Sequence, residues 1–188
     1  TIPTSFLRLV PHQEAPTNIC WGDRNRSVVV RVPLGWSGAD SMISHANPND
    51  SSSFAKAPSK QTFEFRVPDG SADIYLTIAG LIIASLRGIN DPNALKRAQE
   101  LYVDVNIFKP EHKDKLEKLE LLPLSCYESA EALERKRSIF EANHIFPSGL
   151  IESKVAKLKS YDDKNLSEKL YGKKDEIKAL VDKFLHVG

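Results

Sequence analysis

The sequence predicts an α+β fold, in which an antiparallel sheet portion of two or more strands is covered by helices. Two short segments among the first 70 residues have strand character, whereas most of the remaining chain has helical periodicity. The 188 residues are 41% hydrophobic and 27% charged, which is typical of a globular chain and excludes wholesale disorder and a coiled-coil fibre. We therefore expect a unit over residues 1–188 with strands and loops at 1–70 and mainly helices at 71–188.

The two strands are predicted at residues 27–32 and 61–67. The first is a β-branched run that ends at Pro33, and the second alternates between apolar and polar side chains. Residues 35–60 are rich in Ser, Asn, Asp, Gly and Pro and have no period, which predicts a long loop. We expect the two strands to be antiparallel neighbours, with space for intervening strands from elsewhere in the protein.

The first helix is predicted at residues 72–87, with Asp69 or Ser71 as its cap and Gly88 as its stop. Its apolar positions surround nearly the whole helix, so we expect it to be buried against the aromatic face of the second strand. Further helices are predicted to begin at Asp91–Pro92 and Pro147 and to cover residues 129–141 and 175–185, while residues 109–120 fit either a helix or a loop.

Composition restricts the class of function. The 26 basic and 25 acidic side chains nearly cancel, so nonspecific nucleic-acid binding has no global electrostatic drive. The longest apolar run, at residues 74–86, is shorter than the roughly 20 residues that cross a bilayer. Two cysteines are too few for a disulfide scaffold, which favours a reducing cytoplasm. The start has no initiator Met and no signal-peptide pattern, so we expect the chain to begin inside a longer protein.

Candidate chemistry is concentrated in the first third of the chain. Five of the seven basic residues in 1–70 are arginines, whose planar fork suits carboxylates and phosphates. In a regular strand Glu64 and Arg66 share a face, where a carboxylate could bind a hard cation such as Mg²⁺. Periodicity alone favours a simpler interpretation, an ion pair on a half-exposed sheet. Arg26 and Arg31 are five residues apart and would lie on opposite faces of a regular strand. Either a bulge therefore lies between them, or one of them lies at the end of the strand.

Five short motifs follow one another in this part of the chain. They are Arg8-Leu-Val-Pro11, Glu14-Ala-Pro16, Arg24-Asn-Arg-Ser27, Arg31-Val-Pro33 and Glu64-Phe-Arg-Val-Pro-Asp69. Their order and spacing resemble the carboxy-terminal part of the catalytic domain of glutamine synthetase, most of all its bacterial and archaeal type I branch. The resemblance covers about residues 5–90 and continues more weakly toward the C-terminus.

This resemblance implies a ligase that joins glutamate to ammonia at the expense of ATP, a step of glutamine biosynthesis. In the family the γ-carboxylate attacks the γ-phosphate, and ammonia then displaces phosphate from γ-glutamyl phosphate. The implied cofactor is Mg²⁺ or Mn²⁺, and ATP is a substrate. The implied protein is a cytoplasmic, ring-type homo-oligomer, a dodecamer, with active sites between subunits and with neither nucleic acid nor membrane as partner.

The resemblance also implies roles for single residues on the amino-acid side of the site. Arg8 and Arg66 match arginines that hold the substrate glutamate, a task that suits a bidentate fork. Glu14 matches the catalytic glutamate of a mobile loop, which shields the acyl phosphate from water and helps to take a proton from ammonium.

On the nucleotide side, Arg26 and Arg31 match residues that contact the ATP phosphates, and Arg26 also counts as catalytic because it stabilises charge in phosphoryl transfer. Glu64 matches the carboxylate that holds the metal bridging the phosphates. Thr62 stands where the family often has an arginine, and nearby Lys60 could supply positive charge to the phosphates. A second departure is His12-Gln13, where the family commonly has glycine after the first motif.

Other interpretations remain at this point. A relative that ligates glutamate to polyamines or other amines, a non-catalytic structural or regulatory relative, and a phosphoryl-transfer domain of another family such as a guanidino kinase all fit part of the pattern. The family's site also uses carboxylates and a histidine from preceding sequence and residues of a neighbouring subunit. We therefore expect residues 1–188 alone to be inactive and to expose a sheet edge and an apolar face.

Overall fold

The α+β prediction is confirmed by the computed structural model, which describes residues 2–9, 15–33, 46–49, 62–106 and 109–186. A three-stranded sheet has the order β1 (Trp21–Asp23), β2 (Val30–Val32) and β3 (Glu64–Phe65). Strands β2 and β3 are antiparallel, as predicted, whereas β1 is parallel to β2 and was not predicted. Most of the predicted loop at 35–60 lies outside the described residues.

Helices make up most of the chain after the sheet. The described α-helices are α1 (Ile74–Asn90), α2 (Ala94–Glu100), α3 (Lys113–Glu117), α4 (Cys126–Arg135), α5 (Arg137–Glu141), α6 (Ser148–Lys159), α7 (Leu166–Lys169) and α8 (Lys174–Phe184). Short 3-10 helices lie at Pro3–Phe6, Pro110–His112 and Ala142–His144. The helix predicted after Pro147 is confirmed, and Pro147 is its N-cap residue. The helix predicted at 129–141 is divided into α4 and α5, and α4 begins earlier because the Ser125 side chain caps it.

Helix α1 differs from its prediction in bounds and in burial. Its cap is Asp73, whose carboxylate accepts hydrogen bonds from the N–H groups of residues 75 and 76, rather than Asp69 or Ser71. It continues through Gly88 to Asn90.

Burial of α1 against the aromatic face of the second strand was a wrong prediction. Tyr75 of α1 is 83% exposed and Phe63 of the strand segment is 66% exposed, while Ile83 is the buried residue of the helix. An apolar pattern on all sides requires neighbours on all sides. The described residues cover α1 only in part, where α2 and α5 contact it, so the expected exposed apolar face is present.

The buried apolar residues of the described part form three clusters. Cys20, Val28 and Val103 join the sheet to the segment that follows α2. The second cluster joins the first 3-10 helix to α4, and the third joins α4 to α6. The sheet is therefore held by residues before and after it in the chain, which fixes where its charged side chains lie.

The described helices also bear on membrane crossing. None of them alone is both long and apolar enough to span a bilayer. Helices α1 and α2 together would be long and apolar enough to span a bilayer, but the chain bends by 108° between them.

Candidate functional site

Two arginines surround Glu64 on one face of the sheet. Arg31 is directly opposite Glu64 in the β2–β3 register, and its Nη2 lies 2.5 Å from Glu64 Oε2. Arg66 follows two residues after Glu64, and its Nε lies 3.6 Å from Glu64 Oε1. Each carboxylate oxygen therefore faces a guanidinium group, and the placement of Glu64 and Arg66 on one face is confirmed.

The cluster of Arg31, Glu64 and Arg66 is partly open to solvent. The Glu64 side chain is 43% exposed, compared with 26% for Arg31 and 20% for Arg66. The carboxylate is therefore the most accessible group of the three, and a ligand could reach it from solvent.

Arg66 also binds the connection between β1 and β2. Its Nη1 donates to the carbonyl oxygens of Arg26 and of Val28, the latter at 3.3 Å. Its backbone N–H donates to Val29 O at 2.9 Å. Arg66 therefore joins Glu64 to the loop that carries Arg26.

Arg26 lies in this loop, before β2 begins at Val30, and its side chain is exposed. The spacing from Arg31 allowed either a bulge or a position at the end of the strand, and the structure places Arg26 at the end, before β2. The Arg26 backbone is fixed by Arg66, while its guanidinium group remains accessible for a ligand.

Arg8 lies beside the backbone that follows β3. Its guanidinium group donates to the carbonyl oxygen of Val67, and longer contacts of 3.5 Å reach the carbonyls of Arg66 and Pro68. Arg8 is exposed. The first and the fifth motif, which are more than 50 residues apart in sequence, are therefore in direct contact.

Asp69 fixes the turn that leads from β3 to α1. Its carboxylate accepts hydrogen bonds from Ser71 N at 2.8 Å and Ser71 Oγ at 2.7 Å. Burial raises the pKa of Asp69, but hydrogen bonds from Ser5 and Ser71 outweigh this effect, so its pKa is lowered. The turn is therefore held by an ionised carboxylate at neutral pH.

Five of the seven predicted site residues are thus among the described residues. They are Arg8, Arg26, Arg31, Glu64 and Arg66. The other two, Glu14 and Lys60, lie outside the described residues, as do His12 and Gln13.

A metal site is not complete in the described part of the chain. Its His, Cys, Asp and Glu side chains include no group of three or more that could hold a metal ion. Glu64 can supply one carboxylate, and both of its oxygens face arginine. What the described residues do form is one carboxylate between the guanidinium groups of Arg31 and Arg66, with Arg8 bonded to the backbone that follows β3. Arginines suit anionic ligands that bear carboxylate or phosphate groups.

Comparison with known proteins supports the motif assignment. Residues 1–171 match the family model described as the catalytic domain of glutamine synthetase. The chain is 37% identical over 148 residues to the glutamine synthetase of Pyrococcus furiosus and 33% identical over 145 residues to that of Pyrococcus horikoshii, in each case over 76% of this chain and 27% of the relative. It is 31% identical over 155 residues to the enzyme of Streptomyces filamentosus, over 81% of this chain and 28% of the relative.

The chain thus spans little more than a quarter of the length of these relatives. The family match covers most of the chain and includes every motif that carries the arginine cluster. The chain belongs to the glutamine synthetase family, within its catalytic domain.

Proposed function

We propose that the protein is a glutamate–ammonia ligase, which forms glutamine from glutamate, ammonia and ATP through γ-glutamyl phosphate. The observation that supports the proposal is the cluster of Arg31, Glu64 and Arg66, for which the family resemblance implies phosphate-, metal- and glutamate-binding roles. Because the chain spans little more than a quarter of its relatives, we assign this activity to the complete protein.

Arg26 and Arg31 would bind the phosphates of ATP. The γ-phosphoryl group carries negative charge throughout its transfer, and fixed guanidinium groups stabilise that charge without reorganising. Arg26 is exposed and therefore accessible to the nucleotide, whereas Arg31 is held in β2. Lys60 would add positive charge to the same region.

Arg8 and Arg66 would hold the substrate glutamate, so that its γ-carboxylate lies in line with the γ-phosphate. Glu14 would close over the acyl phosphate, exclude water and accept a proton from ammonium, because only neutral ammonia has a lone pair for attack.

Glu64 would be one ligand of a divalent cation, Mg²⁺ or Mn²⁺. Such a cation neutralises phosphate charge when it is bound. The described residues include no group of three or more His, Cys, Asp or Glu side chains that could hold a metal ion, so further ligands would come from other parts of the protein.

The test is phosphate release by the protein expressed from its complete coding sequence, with ATP, Mg²⁺ and glutamate present. Release that depends on ammonia supports the proposal. Release with putrescine or ethanolamine instead of ammonia would indicate an amine ligase of the same family, and no release with any amine would indicate a non-catalytic relative. Residues 1–188 alone should be inactive in the same assay.

The proposal includes a cytoplasmic, ring-shaped homo-oligomer, and we infer a dodecamer from the family resemblance. Light scattering of the complete protein measures its mass in solution. A monomer that is fully active would contradict active sites between subunits.

A further inference from the structure

We propose that Asn25 is a positioning residue, which holds the Arg26 loop in the geometry that phosphate binding requires; this inference rests on the proposed function. The Asn25 amide Nδ2 donates to Val103 O at 3.1 Å and to Val105 O at 2.8 Å. Its Oδ1 accepts from Ser27 N at 2.9 Å and from Ser27 Oγ at 2.7 Å. One side chain therefore uses both donors and its acceptor to join the loop to a distant segment.

The β1–β2 connection needs such a bond because it is unusually short. Strands β1 and β2 are parallel, and only residues 24–29 connect them. Parallel neighbours normally require a crossover of a dozen or more residues, usually with a helix that satisfies its own backbone. Here Arg24 takes a left-handed conformation with φ of 54°, and its N–H donates to Val32 O at 2.9 Å. Asn25 provides a further tie from within the loop, in addition to the bonds that Arg66 makes to Arg26 O and Val28 O.

The segment whose carbonyl groups Asn25 binds is held against β1 at Val103. Val103 N donates to Trp21 O at 2.8 Å, and Val103 is 2% exposed in the cluster with Cys20 and Val28. A Cβ atom at Gly22 would come 2.1 Å from Val103 O, so the backbone of residue 103 runs directly against β1. Asn25 therefore reaches from a short loop to a rigid anchor.

The position of Asn25 affects the charged cluster through Arg26. The carbonyl oxygen of Arg26 accepts from Arg66 Nη1, and Arg66 Nε lies beside Glu64. If the loop moved away from Val103, this carbonyl would leave Arg66 and the Arg26 guanidinium group would lose its fixed base. The buried neighbour Ser27 transmits the same constraint to the start of β2.

A positioning role and a purely structural role of Asn25 predict different effects of its replacement on the binding of two ligands, ATP and adenosine. Adenosine has no phosphate, whereas ATP presents three to the arginines. Loss of loop geometry should weaken ATP and leave adenosine unchanged, because a misplaced guanidinium group affects only the phosphates. A general loss of folding would weaken both ligands.

The experiment is calorimetric titration of the complete protein with ATP and with adenosine, for Asn25→Asp and for the control Asn90→Asp. Asn25→Asp keeps the shape and the acceptor toward Ser27, but it places a carboxylate oxygen against the carbonyls of residues 103 and 105. Asn90 donates to Leu86 O at 2.8 Å within exposed α1, so its exchange tests the same chemical change elsewhere. We expect the ATP dissociation constant to rise about tenfold or more for Asn25→Asp, with adenosine within about twofold and the control unchanged.

Each other outcome overturns the inference. Equal weakening of ATP and adenosine would make Asn25 a structural residue only, and unchanged ATP binding would remove it from the site. Ser27→Ala is titrated in every case, because it removes a single hydrogen bond to Asn25 Oδ1 without the negative charge that Asn25→Asp places near the phosphates. ATP should bind about two to three times more weakly to Ser27→Ala, and unchanged binding would overturn the inference, also where Asn25→Asp does not fold. If the unaltered protein binds no ATP, the proposed function is overturned together with the inference. If the unaltered protein binds ATP and the variants bind it equally well, only the inference about Asn25 is overturned.

Discussion

Arg31 and Glu64 stand opposite each other on antiparallel strands, and their charged groups meet at 2.5 Å. Cross-strand pairs of opposite charge stabilise a sheet only modestly, by roughly 0.2–1 kcal/mol, and partial exposure weakens them further. Arg31 Nε is moreover buried without a hydrogen-bond partner in the described part of the chain. The pair therefore contributes little to stability, which agrees with its proposed use in binding.

Replacing Glu64 should separate activity from stability. We expect Glu64→Gln to lower the free energy of unfolding by less than about 1 kcal/mol, because the ion pair is partly exposed, and to abolish metal-dependent phosphate release by the complete protein. Urea unfolding and the phosphate assay measure the two effects. The matched control is Glu176→Gln, which removes the exposed carboxylate beside Lys173 on α8 and should leave turnover intact. Unaltered turnover in Glu64→Gln would remove this residue from the metal site.

Replacement of glycine by alanine should lower the free energy of unfolding at Gly22 and raise it at Gly80. Gly22→Ala would place Cβ 2.1 Å from Val103 O, and backbone cannot yield as a side chain does, so we expect a loss of about 1–3 kcal/mol. Gly80→Ala lies within α1, where no atom of the described residues beyond the adjacent helix backbone is within 4 Å of the added Cβ, so it should stabilise residues 1–188 by about 0.5–1 kcal/mol. Urea unfolding of each variant measures both changes, and equal effects would contradict the close approach of β1 to Val103.

The sequence predicts local secondary structure better than it predicts which elements pack against each other. The β2–β3 pairing could be predicted because both segments have strand composition and the Glu64 side alternates cleanly. Strand β1 could not, since Trp21–Asp23 is three residues long and pairs in parallel through a connection shorter than parallel strands normally allow. The α1 pattern showed how much surface is apolar, but not which surface covers it.

The same difference between local pattern and tertiary contact applies to the candidate site. Strand periodicity predicted that Glu64 and Arg66 share a face, and the β2–β3 register of the structure adds Arg31 opposite Glu64. The hydrogen bonds of Asn25 could not be predicted, because its partners Val103 and Val105 lie 78 and 80 residues away in sequence. A polar residue between two arginines in a short connection was the available signal, and only tertiary contacts give it a meaning.

Asp163 should be essential for the stability of the second half of the chain. It is 4% exposed, and its carboxylate accepts from Cys126 N at 2.9 Å and Tyr127 N at 3.0 Å at the start of α4. Asp163→Asn keeps one acceptor and leaves the other N–H without a partner, so we expect a loss of about 1–3 kcal/mol. The control Asp182→Asn changes an exposed carboxylate of α8 and should shift stability by less than about 0.5 kcal/mol. Urea unfolding compares them, and equal small effects would contradict the capping role.

Cys126 should make the stability of the chain fall at alkaline pH. Burial raises the pKa of its thiol, and the negative charge of Asp163 raises it further. The unfolded thiol ionises near pH 8.5 while the folded one keeps its proton, so the unfolded state binds fewer protons and the free energy of unfolding declines as pH rises above that value. This contribution is fully present below the unfolded pKa and is lost toward the folded one. Urea unfolding from pH 7 to 10 should show a shallower decline for Cys126→Ala than for the unaltered chain, whereas parallel curves would show that the thiol does not ionise on unfolding.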